Sequence, residues 1–168
     1  MKKLAITAAA TAATLMLASA GHAASDNADS AAMQPPKGDI EAGEKAFRQC
    51  ASCHVVKTDE GETLAGRNAR TGPNLYGVAT GPIAHEEGFR YSKSMQKLGE
   101  QGLNWNEEEF VGYVQDPTGW LREMLDDDKA RGKMAFKVRK EEDAHDLYAY
   151  LYSLAPPAEG EDAEAASD

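Results

Sequence analysis

Cysteine and basic residues are both scarce in this chain of 168 residues. Cys50 and Cys53 are its only cysteines, so a zinc site built on two cysteine pairs would lack its second pair. The 18 lysines and arginines are outnumbered by 28 aspartates and glutamates, which gives a net charge of −10. This balance argues against binding to nucleic acid, whose phosphates attract basic surfaces. The length allows one modest domain.

Long, strongly apolar segments are also lacking. The N-terminal run Leu4–Ala20 is short for a membrane span and is dominated by alanine. It follows the cationic start Met1–Lys3 and precedes the small residues Gly21 and Ala23. This order is typical of a secretory signal peptide, which we predict over residues 1–23. We therefore expect a periplasmic protein without a permanent membrane anchor, and a retained anchor is the alternative.

Polar segments flank the predicted folded domain, which spans residues 38–155. We predict a disordered lead-in over residues 24–37, which ends with Pro35-Pro36, and an acidic disordered tail over residues 156–168. The tail carries five acidic residues and no base. We expect the domain to be a monomer.

The run Cys50-Ala51-Ser52-Cys53-His54 has the C-x-x-C-H spacing of a c-type haem attachment site. Two thiols at this spacing add across the vinyl groups of one porphyrin, and the imidazole that follows ligates the iron. A redox dithiol is the alternative interpretation. That alternative would require a strand–helix–strand setting, which the flanking sequence does not provide. The motif therefore predicts one covalently bound haem c.

Helical patterns recur along the domain, and no strand pattern of any length is present. We predict an all-α fold of about five helices wrapped round the haem. The predicted helices cover residues 39–47, 92–98, 106–116, 120–125 and 141–154. The polar, glycine-bearing stretch between Lys57 and Arg70 is predicted to be a surface loop.

In the first helix, Ile40, Gly43 and Phe47 are predicted to share one face. Glycine inside a helix costs about 1 kcal/mol relative to alanine. We interpret Gly43 as a point of close approach to the last helix, where Leu147 and Tyr150 lie on the apolar face.

Further motifs follow the C-x-x-C-H run in the order found in class I cytochromes c. They are Thr71-Gly72-Pro73-Asn74-Leu75, Gly88-Phe89-Arg90-Tyr91, Trp105 and Lys133-Met134-Ala135-Phe136. From Asp39 to Leu154 the chain resembles this family, and in particular its larger bacterial members, the cytochrome c2 group. The acidic tail is similar to that of respiratory cytochromes of this group from denitrifying bacteria.

The resemblance implies which residues hold the haem. Cys50 and Cys53 would form the thioether bonds, and His54 and Met134 would be the axial ligands of the iron. The second ring nitrogen of His54 would donate a hydrogen bond to the Pro73 carbonyl and so fix the orientation of the ring.

Four aromatic residues would complete the haem pocket according to the same resemblance. Tyr91 and Trp105 would hydrogen-bond a buried propionate, and Tyr113 would lie near the methionine sulfur. Phe136 would pack at the edge of the haem.

Other methionines and histidines could in principle ligate the iron. Met95 and Met124 lie at helical spacings typical of packing, whereas Met134 lies in a non-periodic stretch. His85 belongs to a polar loop and His145 to the acidic start of a helix. We interpret both histidines as ordinary surface residues.

At two positions the chain departs from the family pattern. The resemblance implies an arginine where Gly81 stands and a threonine where Gly132 stands, each in contact with a propionate. Their absence predicts a lower midpoint potential, which an arginine at position 81 should raise.

A methionine opposite a histidine fills the coordination sphere of the iron and discourages small-molecule chemistry. The resemblance therefore implies a one-electron carrier and not an enzyme. Similar proteins take electrons from a cytochrome bc-type complex and deliver them to a terminal oxidase, a reaction centre or a denitrification reductase. The alternative is a haem c enzyme or ligand-binding protein with a labile sixth site, against which no distal acid–base pair is apparent.

Basic residues cluster beside Met134 although the chain is acidic overall. They are Lys129, Arg131, Lys133, Lys137, Arg139 and Lys140, and Lys93 and Lys97 are expected to join them. We predict that this basic surface steers the protein onto acidic docking surfaces of membrane redox complexes. A solvated charged loop is the alternative.

Overall fold

A computed structural model describes residues 35–155 of the chain. Five α-helices, a short 3₁₀ helix and a two-stranded hairpin make up this part. In chain order they are α1 (Ile40–Phe47), the 3₁₀ helix (Cys50–Ser52), β1 (Val55–Lys57), β2 (Thr63–Gly66), α2 (Lys93–Gly99), α3 (Glu107–Gln115), α4 (Pro117–Leu125) and α5 (Glu141–Leu154). The predicted all-α class is confirmed. The predicted signal peptide and tail and most of the lead-in lie outside the described residues, so the domain limits stay predictions.

Side-chain caps fix where four of the helices begin. Asp39, Ser92 and Asn106 each accept a hydrogen bond from a backbone N–H within the first turn of α1, α2 or α3. Asp116 caps α4 by accepting a hydrogen bond from the Gly119 N–H at 3.1 Å. This cap starts α4 at Pro117, earlier than predicted, because proline is well tolerated at the first helical position.

The segment predicted as a surface loop contains β2 and the turn of a β-hairpin whose first strand, β1, precedes it, so that prediction is wrong in part. β1 and β2 pair antiparallel, with Val55 opposite Gly66 and a bulge between Val56 and Lys57. Strands this short cannot show a convincing alternation of apolar and polar residues. Gly66 has a φ of +80°, and a Cβ there would lie 2.9 Å from the His54 carbonyl oxygen. The hairpin therefore packs directly behind the C-x-x-C-H run.

α1 crosses α5 at Gly43, which confirms the predicted close approach. A Cβ on Gly43 would lie 2.7 Å from the Cβ of Tyr150 and would collide with the carbonyl of Asp146. The rings of Phe47 and Tyr150 pack beside this point with centroids 5.7 Å apart. Of the three residues predicted to share one face of this helix, Gly43 and Phe47 are buried, and Ile40 in the first turn is 51% exposed.

The hydrophobic core receives side chains from all five helices and from β1, and it extends to the loop between the hairpin and α2. Its most completely buried side chains are Leu98, Leu121, Val56 and Pro117. Among residues 35–155, none of the helices is both long and apolar enough to cross a membrane.

Candidate functional site

A largely apolar cavity of about 380 Å³ opens on one side of the core, within the size range of cofactor sites. Its wall is formed by the 3₁₀ helix, by parts of α1, α2, α3 and α5, and by the loop segments between these elements. Every residue predicted to hold or contact the haem lines this cavity: Cys50, Cys53, His54, Pro73, Tyr91, Trp105, Tyr113, Met134 and Phe136. The fold thus brings together side chains that are up to 86 positions apart in the sequence.

The two thiols are presented by the 3₁₀ helix that follows α1. The N–H groups of Cys53 and His54 both donate to the carbonyl of Cys50, at 3.0 and 2.9 Å. Both cysteines are free thiols and half-buried. Burial, followed by the proximity of Cys53, raises the pKa of Cys50 to about 11. The Cys50 thiol therefore stays protonated at neutral pH, and both cysteines line the cavity.

The imidazole of His54 is fixed from behind by a loop. Its Nδ1 donates to the Pro73 carbonyl at 2.9 Å, the bond predicted for the ring nitrogen that faces away from the iron. Burial lowers the pKa of His54, and the Pro73 bond opposes that shift. A neutral ring that donates through Nδ1 keeps the lone pair of Nε2 available for a metal.

Gly72 makes this arrangement possible. A Cβ on residue 72 would lie 2.6 Å from Nδ1 and 2.7 Å from Nε2 of His54. The Gly72 N–H donates to the Cys53 carbonyl at 2.8 Å, which ties the loop to the attachment motif. The close contact with the ring leaves no room for a side chain.

Met134 reaches the cavity from the irregular segment between α4 and α5. Backbone donors anchor this segment at both ends: the Arg131 N–H binds Ser94 Oγ at 3.0 Å, and the Val138 N–H binds the Val114 carbonyl at 2.9 Å. Between these anchors, residues 133–136 line the cavity.

Two other methionines were assigned to packing by their spacing. Met124 packs against the core and does not line the cavity. Met95 is buried in the core as expected, but its side chain also forms part of the cavity wall. No feature of the sequence distinguished the cavity-facing part of α2 from ordinary packing.

The four aromatic residues predicted for the pocket all line it, but they differ in burial and in their contacts. The Tyr91 hydroxyl accepts a hydrogen bond from the Glu86 N–H at 3.2 Å. Trp105 is buried, with its ring 5.2 Å from that of Tyr113. Burial, with Tyr91 nearby, raises the pKa of Tyr113 to about 12, so its hydroxyl stays protonated at neutral pH. Phe136 is 45% exposed at the rim.

The two histidines interpreted as surface residues both make specific contacts in the structure. His85 is half-buried and lines the cavity. His145 Nδ1 lies 2.6 Å from Glu107 Oε1, which joins α5 to α3. Both histidines are partly exposed, and their polar sequence neighbourhoods carried no signal of either contact.

The two glycines that replace expected polar residues differ in the space around them. A Cβ on Gly81 would collide with the backbone carbonyl of Gly77, so arginine cannot be introduced there without moving the loop. A Cβ on Gly132 would lie 3.3 Å from Leu121 Cδ1 and 3.5 Å from Thr118 Oγ1, where the leucine methyl can yield. Position 132 thus admits a Cβ, whereas position 81 does not.

The basic surface is exposed at every one of its residues, Lys93, Lys97, Lys129, Arg131, Lys133, Lys137, Arg139 and Lys140. Lys137 forms an ion pair with Asp116 at 2.8 Å. This hydrogen bond and that from the Gly119 N–H lower the pKa of Asp116. Since Lys133 also lines the cavity, the surface extends to the rim near Met134.

The chain is similar to cytochromes c2 along the described part of its length. It is 67% identical over 117 residues to a cytochrome c2 of Rhodovulum adriaticum, covering 70% of this chain and 93% of that relative. Against a cytochrome c-550 of Paracoccus denitrificans it is 41% identical over 133 residues, covering 78% of this chain and 83% of the relative. The cytochrome c2 structure from Rhodobacter sphaeroides is 54% identical and covers 71% of this chain and 98% of its own, with a TM-score of 0.69.

The chain belongs to the cytochrome c2 family of class I cytochromes c. No family model matches it. As a cytochrome c2 it takes part in electron transport and binds one covalent haem c. The residues present fit that group, because a largely apolar cavity has two free thiols and an oriented, neutral imidazole on its wall.

Proposed function

We propose that this cytochrome c2 is a soluble periplasmic one-electron carrier. Cys50 and Cys53 would hold the haem through thioether bonds, and His54 and Met134 would be the axial ligands of its iron. The observation that carries this proposal is the His54–Pro73 hydrogen bond on the wall of a cavity that Met134 also lines. It fixes the orientation of one ligand.

The bound haem supplies the one-electron chemistry, and the chain supplies its environment. Pro73 holds the His54 ring in one tautomer, which keeps the ligating nitrogen fixed. The buried side chains of Trp105 and Leu147 exclude water from the cavity wall. A second ligand from Met134 would leave no open site for a small molecule, so the chain would not act as an enzyme.

The basic surface supports a role in docking to acidic partners. In this proposal the carrier takes electrons from a cytochrome bc-type complex. It passes them to a terminal oxidase, a reaction centre or a denitrification reductase. The exposed cations at the cavity rim, among them Lys133, would meet acidic groups around the redox centre of each partner. Attraction of this kind raises the encounter rate and weakens with salt.

Visible spectroscopy of the purified haem protein, with and without carbon monoxide, tests the ligand assignment. We expect a low-spin ferrous spectrum, the weak far-red ferric band of methionine–iron ligation, and no response to carbon monoxide. Met134→Ala should lose the band and bind carbon monoxide. Met124→Ala is the matched control, because Met124 packs away from the cavity, and it should behave as the wild type.

Prompt carbon monoxide binding by the wild type would overturn the carrier proposal. It would favour the alternative of a haem c enzyme or ligand-binding protein with a labile sixth site. The intact mass of protein isolated from the periplasm tests the location, since loss of residues 1–23 is expected. A mass that retains the N-terminal segment would contradict it.

A further inference from the structure

The segment that carries Met134 is attached to two hydroxyl groups from different helices. Ser94 Oγ on α2 accepts a hydrogen bond from the Arg131 N–H at 3.0 Å. Thr118 Oγ1, in the first turn of α4, accepts one from the Gly132 N–H at 3.3 Å. These two N–H groups belong to consecutive residues, three and two positions before Met134. The hydroxyls therefore hold the backbone immediately before the proposed ligand.

The backbone that follows these two bonds has little other support. Within residues 35–155, no backbone N–H or carbonyl group of residues 133–137 has a hydrogen-bond partner, and the next bonded group is the Val138 N–H. Two side chains add exposed links, from Lys133 to a carbonyl of the loop before α2 and from Lys137 to the cap residue of α4. Exposed links of this kind contribute little to stability. A stretch with so few backbone bonds opens at low cost in free energy unless its ends are held.

Both hydroxyls belong to elements that are themselves fixed in the core. Leu98 of α2 and Leu121 of α4 are fully buried, and the two helices pack against each other. The backbone groups of a helix interior bond within that helix, so a side chain is needed to bind a neighbouring segment. One position before the two bonded N–H groups, the carbonyl of the buried Ala130 accepts from Arg122 Nε of α4 at 3.4 Å. The anchored end of the segment is thus tied to two packed helices.

The partners behind a metal ligand orient it and strengthen its hold on the metal. We propose that Ser94 and Thr118 are positioning residues for Met134, and that they limit how readily an outside ligand takes the sixth coordination position of the haem iron. Neither hydroxyl lines the cavity, so each acts through the backbone that it binds. This inference rests on the proposed ligation of the haem by Met134.

Imidazole binding to the ferric holoprotein tests the inference. Imidazole donates a nitrogen lone pair to the iron once the methionine sulfur has left, and the oxidation state does not change. Because only the open form binds imidazole, the apparent affinity rises with the open fraction. Ser94→Ala and Thr118→Val each remove one hydrogen bond and should each raise this affinity about twofold to tenfold. The far-red ferric band of methionine–iron ligation reports the exchange.

The rate of imidazole binding separates positioning of the ligand from a general loss of stability. At high imidazole concentration the rate reaches a plateau set by the release of Met134, and this plateau should rise in both variants. Thr118→Ser keeps the hydroxyl and should behave as the wild type. Ser153→Ala is the matched control for Ser94→Ala, because Ser153 Oγ donates to the Tyr150 carbonyl within α5, outside the segment.

Wild-type affinity and plateau rate in Ser94→Ala or in Thr118→Val would overturn the role of that residue. An equal rise in Ser153→Ala would overturn the inference as a whole, since it would show that any lost hydroxyl has the same effect.

Amide hydrogen exchange of the wild-type holoprotein gives a readout that needs no variant to fold. The amides of Arg131 and Gly132 should exchange about tenfold or more slowly than those of Lys133 and Ala135, whose N–H groups have no acceptor in the described part of the chain. Equal exchange rates would overturn the inference. A wild-type spectrum without methionine–iron ligation would overturn the carrier proposal itself, and so the two failures are distinguishable.

Discussion

The ring of His54 lies where a side chain on residue 72 would have to be. The same loop provides the Pro73 carbonyl that orients the ring. Gly72 and Pro73 together therefore fix the position of the imidazole. At this scale the sequence is most informative where chemistry demands an exact spacing, as in the Cys50–His54 run. It is least informative where a role depends on space, as at His85, whose place on the cavity wall is created by residues far along the chain.

Gly72→Ala should weaken the ligation by His54. The added methyl group would lie within 2.7 Å of both ring nitrogens, so the ring must turn or the loop must move. We expect a mixed-spin spectrum and measurable carbon monoxide binding by the ferrous protein. Thr71→Ala, at the exposed neighbouring position, is the control. A wild-type spectrum for Gly72→Ala would show that the close contact does not constrain the ligand.

Gly132→Thr should raise the midpoint potential. The family resemblance implies that a threonine hydroxyl at this position contacts a haem carboxylate, and the space around Gly132 admits a Cβ. Gly132→Ala is the matched control, because it adds the Cβ without the hydroxyl and should leave the potential nearly unchanged. Equal potentials for both variants would mean that no hydroxyl contact is made. Electrochemical titration measures the difference.

At the scale of elements, the helix boundaries were accessible to sequence analysis because they depend on local hydrogen bonds. The caps at Asp39, Ser92 and Asn106 lie within three residues of their donors. The hairpin could not be predicted from the sequence, because the pairing of Val55 with Gly66 depends on the chain reversing across a glycine-bearing turn. The periodicity that places Ile40 on the same face as Gly43 and Phe47 does not show how far each of them is buried.

Gly43→Ala should destabilise the crossing of α1 and α5. The new methyl group collides with the Asp146 carbonyl, which is backbone and cannot rotate away. Overpacking of this kind costs about 1–3 kcal/mol in the free energy of unfolding. Guanidinium unfolding of the holoprotein measures the loss. Glu44→Ala, at the exposed next position, should stay within about 0.5 kcal/mol of the wild type. A stable Gly43→Ala variant would show that the helices can separate without cost.

At the scale of the whole molecule, the excess of acidic residues and the local cluster of basic residues have opposite effects on a charged reagent. The net charge of −10 would repel an anion, whereas the basic surface would attract one to the cavity rim. At physiological salt, charges more than about 8 Å from a docked ion are largely screened. The local surface should therefore decide the encounter.

Ferricyanide oxidation of the reduced protein should accordingly slow as the ionic strength rises, despite the negative net charge. The double variant Arg139→Glu/Lys140→Glu should lower the rate and flatten or reverse this dependence. The double variant Lys45→Glu/Lys57→Glu makes the same change in net charge at exposed residues outside the basic surface. Equal effects of the two variants would mean that net charge alone governs the reaction.

The hydrogen bond from the Asp39 N–H to Asp146 Oδ1 joins residues 107 positions apart. In the proposed export from the N-terminus, the Cys50–His54 run reaches the periplasm before α5, which supplies Leu147 and Leu151 to the cavity wall. The attachment thiols would therefore be available on an emerging chain whose last wall does not yet exist. The order of the sequence thus permits covalent loading first and closure of the domain second.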